Sequence, residues 1–419
     1  MRKQWTTTRR SEKKKDSTGK VDHKEIIAVI QAASKGLGKV KEIYQNRTHR
    51  IKELKAEGSK IIGYLDIYPV VEMLTALDLV PYRILGDMNE PITKADVCLP
   101  TVVCPFLRSV MDQGLKGKYE FLDGAVFAHT CEVGEKMAHI WRIYMELPYI
   151  HFIDTPHTTH KAALKQHKLL LQDFKKTLEE FTGKELTKER LQKAIELHNQ
   201  QRALVRELYD LRKPDPPLIS GKETIQVIVA ITSLPVTEGN ELLRDIIEEV
   251  KQRKDGPKKQ PARLLVWGSI MDNVALADMI ESIGANVIME DNSLGNRAYS
   301  EDVELTNDPL DGLAYHYLVA LNSPRTFRET VLSKDKRKDY MADLGSRFGY
   351  LKDYAKEWKV NGVILQALRY CDSHGYEVPG LGDYLDSAGL PHIYLELDYS
   401  QSALAQLRTR VQAFLEIIG

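Results

Sequence analysis

The stretch KIIGYLDIYPVVEMLTALDLVPYRILG, residues 60–86, decides the fold. Its first run, KIIGYLDIYP, is short, β-branched and closed by Gly, Asp and Pro, which reads as a strand. PVVEMLTALDL then resumes apolar spacing of three and four, the mark of a helix, and PYRILG is strand-like again. Strand, helix, strand within about thirty residues is a βαβ signature. Such a unit implies parallel pairing, with the helix crossing one face of the sheet.

The same alternation continues outward. CPFLRSVMDQGLKGK reads as a helix, DGAVFAHTC as a strand ending at a cysteine, EKMAHIWRIYMEL as a helix and LPYIHFIDTP as a strand. Upstream, residues 22–59 read as helix up to Gly58. From His160 to Arg212 the pattern is helical throughout, with a start signal at Thr187 and Glu189 in the first turn. Residues 221–253 are helical again, and DGPKKQPAR is a charged, proline-bearing linker. A second alternating unit follows: RLLVWGS, the helix DNVALADMIESIG, ANVIMED, VNGVILQALRYC, the helix PGLGDYLDSAGL, PHIYLELD and a last helix. The expected fold is therefore α/β, with two Rossmann-like parallel-sheet domains and a helical connector. The expected boundaries are a basic disordered tail at 1–21, an N-terminal α/β domain at 22–160, the connector at 161–255 and a C-terminal α/β domain at 261–419.

The 59 basic residues balance 59 acidic ones, which argues against nucleic acid as a main partner. No apolar run approaches a membrane span, and the basic start has no apolar signal core, so a cytoplasmic protein is expected. In a reducing compartment the four cysteines are not expected to form structural disulfides. Buried inert thiols, a reactive thiol and a metal site remain. No CxxC pair occurs, no pair-of-pairs suits zinc, and a single nucleophile leaves the other thiols unexplained. Three widely spaced thiolates holding an iron-sulfur cluster would use them without tight spacing. In open parallel sheets ligands sit outside the carboxyl ends of the strands, and Cys131, Gly268 and Cys371 all fall at such ends.

The segments GYLDIYPVVEMLTALDLVPYRI, CPFLRSVMDQGLKGKYEFLDGAVFAHTCE, RYCDSHGYEVPGLGDYLDSAGLPHIYLELDYS and QLRTRVQAFLEII resemble the 2-hydroxyacyl-CoA dehydratase and benzoyl-CoA reductase family, in its 2-hydroxyglutaryl-CoA dehydratase D-component type of subunit. The resemblance runs from residue 60 to the end, apart from the linker near 255–260. It implies a [4Fe-4S] cluster held by Cys104, Cys131 and Cys371. Cys98 has no clear counterpart and is read as a nearby buried thiol, although variable spacing in the family makes it the alternative to Cys104.

The resemblance further implies that one low-potential electron is placed on an acyl-CoA thioester, giving a ketyl-type radical anion. Dehydration of a 2-hydroxyacyl-CoA or reduction of an aromatic acyl-CoA then follows. It implies an anaerobic enzyme, a dehydratase (lyase) or a reductase (oxidoreductase). It also implies two kinds of partner: a homologous second subunit or a second copy of the chain, and a separate ATP-hydrolysing iron-sulfur activator. A scaffold or electron-relay subunit that docks a catalytic homologue and the activator is the alternative. The chain itself has no G-x-x-x-x-G-K-[ST] loop and no GxGxxG fingerprint after a strand, which agrees with ATP acting only through the activator and argues against a nicotinamide enzyme.

Polar candidates come from the same strand ends. Glu132 and Asp372 each follow a cysteine and could orient solvent, supply protons or simply cap a helix. His129, two residues before Cys131, is a candidate proton donor. Ser269 at a strand end, Arg297 and Arg369 are candidates for CoA phosphates. His151, His157 and His160 share no period and are read as loop polarity. Arg408 and Arg410 are read as helix ion-pair residues.

Overall fold

The computed structural model describes residues 36–328 and 340–419. The expected tail at 1–21 and the first part of the helix expected from residue 22 lie outside the described residues. Strands β1 (Ile61–Tyr64), β2 (Val80–Arg83), β3 (Gly124–Ala128) and β4 (Tyr149–Ile153) form one sheet in the order β2-β1-β3-β4. Strands β5 (Ala262–Gly268), β6 (Ala285–Asp291), β7 (Gly362–Leu368) and β8 (His392–Leu397) form a second in the order β6-β5-β7-β8. Every pairing is parallel. The same winding therefore occurs twice. In each sheet the chain steps outward from the first strand, then crosses back to its other side, which places a switch-point crevice between β1 and β3 and another between β5 and β7.

Burial explains the composition of the strands. β3, β5, β6 and β7 are buried along their whole length, and they read as near-continuous apolar runs because helices cover both faces. β8, at an edge, is half-exposed.

The expected long helices are broken where the chain carries its own punctuation. Within 36–58, helices run over Leu37–Gln45 and His49–Ala56, and the second ends near Gly58 at φ +93°. The expected run from His160 to Arg212 is two helices, Lys161–Thr182 and Lys188–Asp210. The first stops at Gly183, in the left-handed region at φ +68°, and the second starts at Thr187, whose hydroxyl accepts the Arg190 N–H at 3.3 Å. Likewise 221–253 divides into Gly221–Ile231 and Val236–Gln252 around Pro235, whose preceding residue is driven out of the helical region.

The connector does not stand apart from the sheets. A Cβ on Gly221 would lie 2.7 Å from Val287 of β6, so this helix packs flat on the second sheet. Conversely, Leu310, Leu313 and Tyr317, from the helix Pro309–Tyr315 and the π-turn His316–Ala320, pack with Leu171 and Phe174 in the core of the first domain. The chain thus returns to its first domain before completing the second sheet.

Three buried histidines give this packing a pH dependence. Burial pushes His167 and His198 down to about 4 and His316 down to about 3. An unfolded imidazole takes up its proton near about 6.5. The stability these groups contribute is therefore full above that value and is lost as pH falls toward about 4, each by up to about 1.4 kcal/mol per pH unit. The urea midpoint is expected to fall steeply from pH 7 to pH 5. His167→Gln, which keeps a donor for the Ala314 carbonyl, is expected to flatten that slope; an unchanged slope would discount His167.

Candidate metal centre and adjoining cavity

Three cysteines occupy the same local position, the N-cap of a helix. Cys104 precedes Pro105–Leu115, Cys131 precedes Glu132–Tyr144 and Cys371 precedes Asp372–Gly375. Proline at the first helical position suits the start at Cys104, because its missing N–H is one the helix could not have paired. At such a cap the side chain faces free backbone N–H groups, and the Cys131 sulfur accepts from Gly134 at 3.3 Å. Cys131 follows β3 and Cys371 follows β7, so the two sit at the switch points of the two sheets.

The sulfurs lie near enough to bear on one another's ionisation. Burial pushes the Cys104 thiol well up, and the Cys371 and Cys131 sulfurs push it further. Cys131 is pushed up to about 12, first by burial, then by Cys371 and by Asp66. Cys371 is raised by burial, with Asp66 adding to the effect. Cys98 is raised by burial alone; it closes the short turn Ala95–Val97, and its Sγ lies 3.5 Å from the Ala95 carbonyl.

All four cysteines are free. One buried and two partly buried thiols at helix N-caps form a donor set that a cation would ionise and that stays protonated without one.

The backbone is bent to make this arrangement. Asp66, just after β1, and Tyr370, just before Cys371, are held at φ 65° and 60°. Non-glycine residues are uncommon there, tyrosine more so than aspartate, and such bends gather at functional sites. Asp66 is in turn held by Arg83, 3.6 Å from its carboxylate.

The polar residues expected at the strand ends have different fates. His129 and Glu132 do come together, with Glu135 and Asp154. Asp154 lies 2.8 Å from His129 Nδ1, while Glu132 and Glu135 each approach Nε2 at 3.7 Å. Arg325 fixes the His129 carbonyl from behind. Asp372 is exposed at the first position of its helix.

The three residues expected at CoA phosphates do not form a phosphate-binding group. Arg297 is 2% exposed and spends its guanidinium on Asp291, the Gly268 carbonyl and His374, so an external diphosphate does not reach it. Ser269 is buried, with its hydroxyl unpartnered. Arg369 is half-exposed and paired with Glu396 and Asp398. Gly268 serves close packing, since a Cβ there would meet the Gln366 carbonyl of β7 at 2.4 Å.

His151 lies on β4 rather than in a loop, next to Thr177, and His157 packs edge-on against His129. Arg408 and Arg410 bond to the Ser282 hydroxyl and the Tyr394 carbonyl rather than to acids.

A cavity of about 80 Å³ is walled by both domains and the connector. Arg83, Arg202 and His316 line it, are at least 95% buried, and each keeps one nitrogen without a partner. Tyr64, Tyr299 and Tyr317 supply apolar walls. Arg83 links the cavity to Asp66 and so to the sulfurs.

Sequence reasoning missed Asp66, Arg83, His374 and Arg325. Asp66 sits at a strand end and His374 three residues after Cys371 on a helix start, so the rule that singled out the cysteines could have found both. Arg83 and Arg325 carry no local signal.

Comparison with known proteins places the chain among acyl-CoA enzymes. Residues 67–418 match the family described as 2-hydroxyglutaryl-CoA dehydratase, D-component. The chain is similar to the (R)-phenyllactyl-CoA dehydratase beta subunit of Clostridium sporogenes, 25% identical over 90% of this chain and 97% of that one. It is 23% identical to one of the subunits of benzoyl-CoA reductase from Thauera aromatica, over 86% and 91% of the two chains. Against the putative dehydratase subunit YjiM of Escherichia coli K12 it is 27% identical, over 88% and 94%.

Proposed function

Because the chain belongs to the 2-hydroxyglutaryl-CoA dehydratase D-component family, we propose that it is the iron-sulfur subunit of an ATP-dependent, radical-type acyl-CoA dehydratase or reductase. The reaction is dehydration of a 2-hydroxyacyl-CoA, or reduction of an aromatic acyl-CoA, by one-electron transfer to the thioester. The observation that supports this reading is that Cys104, Cys131 and Cys371 each cap a helix, with the Cys371 and Cys131 sulfurs near enough to Cys104 to raise its thiol. Relatives named as subunits, one of a dehydratase and one of a reductase, support a role within a complex.

The three thiolates would hold a [4Fe-4S] cluster, which when bound supplies a low-potential one-electron site with one iron lacking a protein ligand. The chain's own residues do the rest. Backbone N–H groups steady the thiolates, and Asp66, held by Arg83, is an acceptor beside them. His129, held by Asp154 at Nδ1, leaves Nε2 without a hydrogen-bond partner among the described residues, 3.7 Å from Glu132 and Glu135, and is the candidate proton donor. The cavity takes the acyl end of the substrate, where the unpartnered Nε–H groups of Arg83 and Arg202 donate to its oxygen atoms and His316 Nδ1 offers an acceptor. The second subunit is a homologue or another copy, and a separate ATP-hydrolysing activator supplies the electron.

Anaerobic purification tests the proposal. A brown protein with broad iron-sulfur absorbance and about four irons per chain is expected; a colourless, iron-free protein sinks it. Acyl-CoA binding by the chain alone places the substrate in this subunit. Binding only after the partner is added moves the chemistry there and leaves this chain as electron relay and scaffold.

The cavity has its own test. Thr232 lines it at 7% exposure, and Thr232→Leu fills it. With that space taken, acyl-CoA is expected to bind about tenfold or more weakly, about 1.4 kcal/mol, with iron content unchanged. Unaltered binding would exclude the cavity as the acyl site.

A further inference from the structure

We propose that Arg297 and His374 are positioning residues that fix one N–H···S hydrogen bond on Cys371 and thereby raise the reduction potential of a cluster held there. The inference rests on the iron-sulfur reading above. Arg297 is anchored by the Asp291 carboxylate at 3.1 Å, the Asp291 carbonyl at 3.0 Å and the Gly268 carbonyl at 3.3 Å. Asp291 is itself held by the Tyr350 hydroxyl at 2.8 Å. So anchored, Arg297 directs Nη1 at His374 Nε2, 3.2 Å away.

A guanidinium has donors and no acceptor, so Arg297 calls for the Nε2 lone pair and competes with the Gly268 carbonyl, which would take a ring proton. An imidazole with a bare Nε2 carries its proton on Nδ1. Nδ1 lies 3.4 Å from Cys371 Sγ and 3.4 Å from Ser373 Oγ, which is itself 3.9 Å from Sγ. The arginine thus selects the tautomer, and the selected N–H faces the sulfur. Trp267, 5.2 Å from the His374 ring, packs beside it. The Cys131 sulfur has a backbone N–H, that of Gly134, and Cys371 has that of His374; only at Cys371 does an imidazole nitrogen also approach the sulfur among the described residues.

Hydrogen bonds to ligand sulfur draw charge from the thiolate, and so ease reduction of the metal it holds. His374→Phe removes the donor, whereas His374→Asn returns an N–H close to the position of Nδ1. Each chain is reconstituted anaerobically with iron and sulfide, its iron is counted, and its midpoint potential is read by dye-mediated titration with electron paramagnetic resonance. With equal iron in all three, His374→Phe is expected to become about tenfold harder to reduce, about 59 mV for one electron. His374→Asn is expected to recover most of that shift. Equal potentials in wild type and His374→Phe, or an Asn variant no better than Phe, overturn the proposal.

If His374→Phe fails to fold or to hold iron, the tautomer decides. In metal-free chain carrying ¹⁵N-histidine, the signal absent from His374→Asn should show a protonated Nδ1. A protonated Nε2 overturns the relay even in a chain that binds iron. A wild-type chain that takes up no iron removes the cluster reading, and the claim on its potential, whatever the tautomer.

Discussion

Cys131→Ser and Cys371→Ser are each expected to abolish iron retention in the reconstituted protein, and Cys104→Ser to do the same, while Cys98→Ser keeps nearly the full complement. The three belong together because each caps a helix, and because the Cys371 sulfur opposes the ionisation of both Cys104 and Cys131. Cys98 has no such neighbour among the causes of its shift. A serine hydroxyl fills nearly the same space but cannot supply the soft thiolate that iron-sulfur chemistry requires. Urea midpoints of the metal-free variants should stay near wild type, which separates loss of a ligand from loss of the fold. Iron lost from Cys98→Ser and kept by Cys104→Ser would reverse the assignment of the first ligand.

The second large effect concerns stability. Glu72 is fully buried on the helix Val71–Ala76 and pairs with Arg202 of Lys188–Asp210, with the Tyr317 hydroxyl 2.7 Å from its other oxygen. Burial pushes the Glu72 carboxyl up, but Arg202 and the buried groups around it outweigh that and hold it down at about 2. Arg202→Met strands a buried carboxylate, at a cost of about 3–5 kcal/mol read from the urea midpoint. Glu72→Met combined with Arg202→Met should recover most of the loss, because two uncharged side chains leave nothing unpaired. A carboxyl depressed on folding contributes stability that is full above its unfolded value of about 4.3 and lost as pH falls toward 2. The single variant should lose this acid-side contribution. A single variant as stable as the double would mean that the charge is already compensated elsewhere.

Much of the architecture is legible before any coordinates. KIIGYLDIYPVVEMLTALDLVPYRILG announces β1, its crossover helix and β2, and the alternation downstream locates all eight strands. Strand period and turn residues are local properties, so they survive in a single sequence. Helix ends are less legible. The run from His160 to Arg212 looks continuous because its apolar spacing resumes after Gly183, and only the left-handed turn there separates two helices. Residues 300–359 show no strong period, yet hold the helices Pro309–Tyr315 and Tyr340–Glu357.

The candidate site divides in the same way. That Cys131 and Cys371 close strands follows from sequence, since a parallel strand must end in a loop on the functional edge. That Arg297 is a buried partner of Asp291 and His374 does not, because an arginine beside a glycine-rich turn reads the same whether it faces solvent or core. His374 gains its meaning from Arg297, which lies on a different loop of the second domain.

The sequence by itself determined two parallel α/β units and the strand-end position of two thiols, through interactions between residues a few places apart. Only the tertiary structure sets the Cys371 and Cys131 sulfurs near Cys104, holds Asp66 against Arg83, lines a cavity with Arg83 and Arg202, and puts His374 Nδ1 3.4 Å from the Cys371 sulfur. Those outcomes depend on how two sheets and a connector pack against one another, and burial and charge pairing across such an interface leave no trace in local spacing.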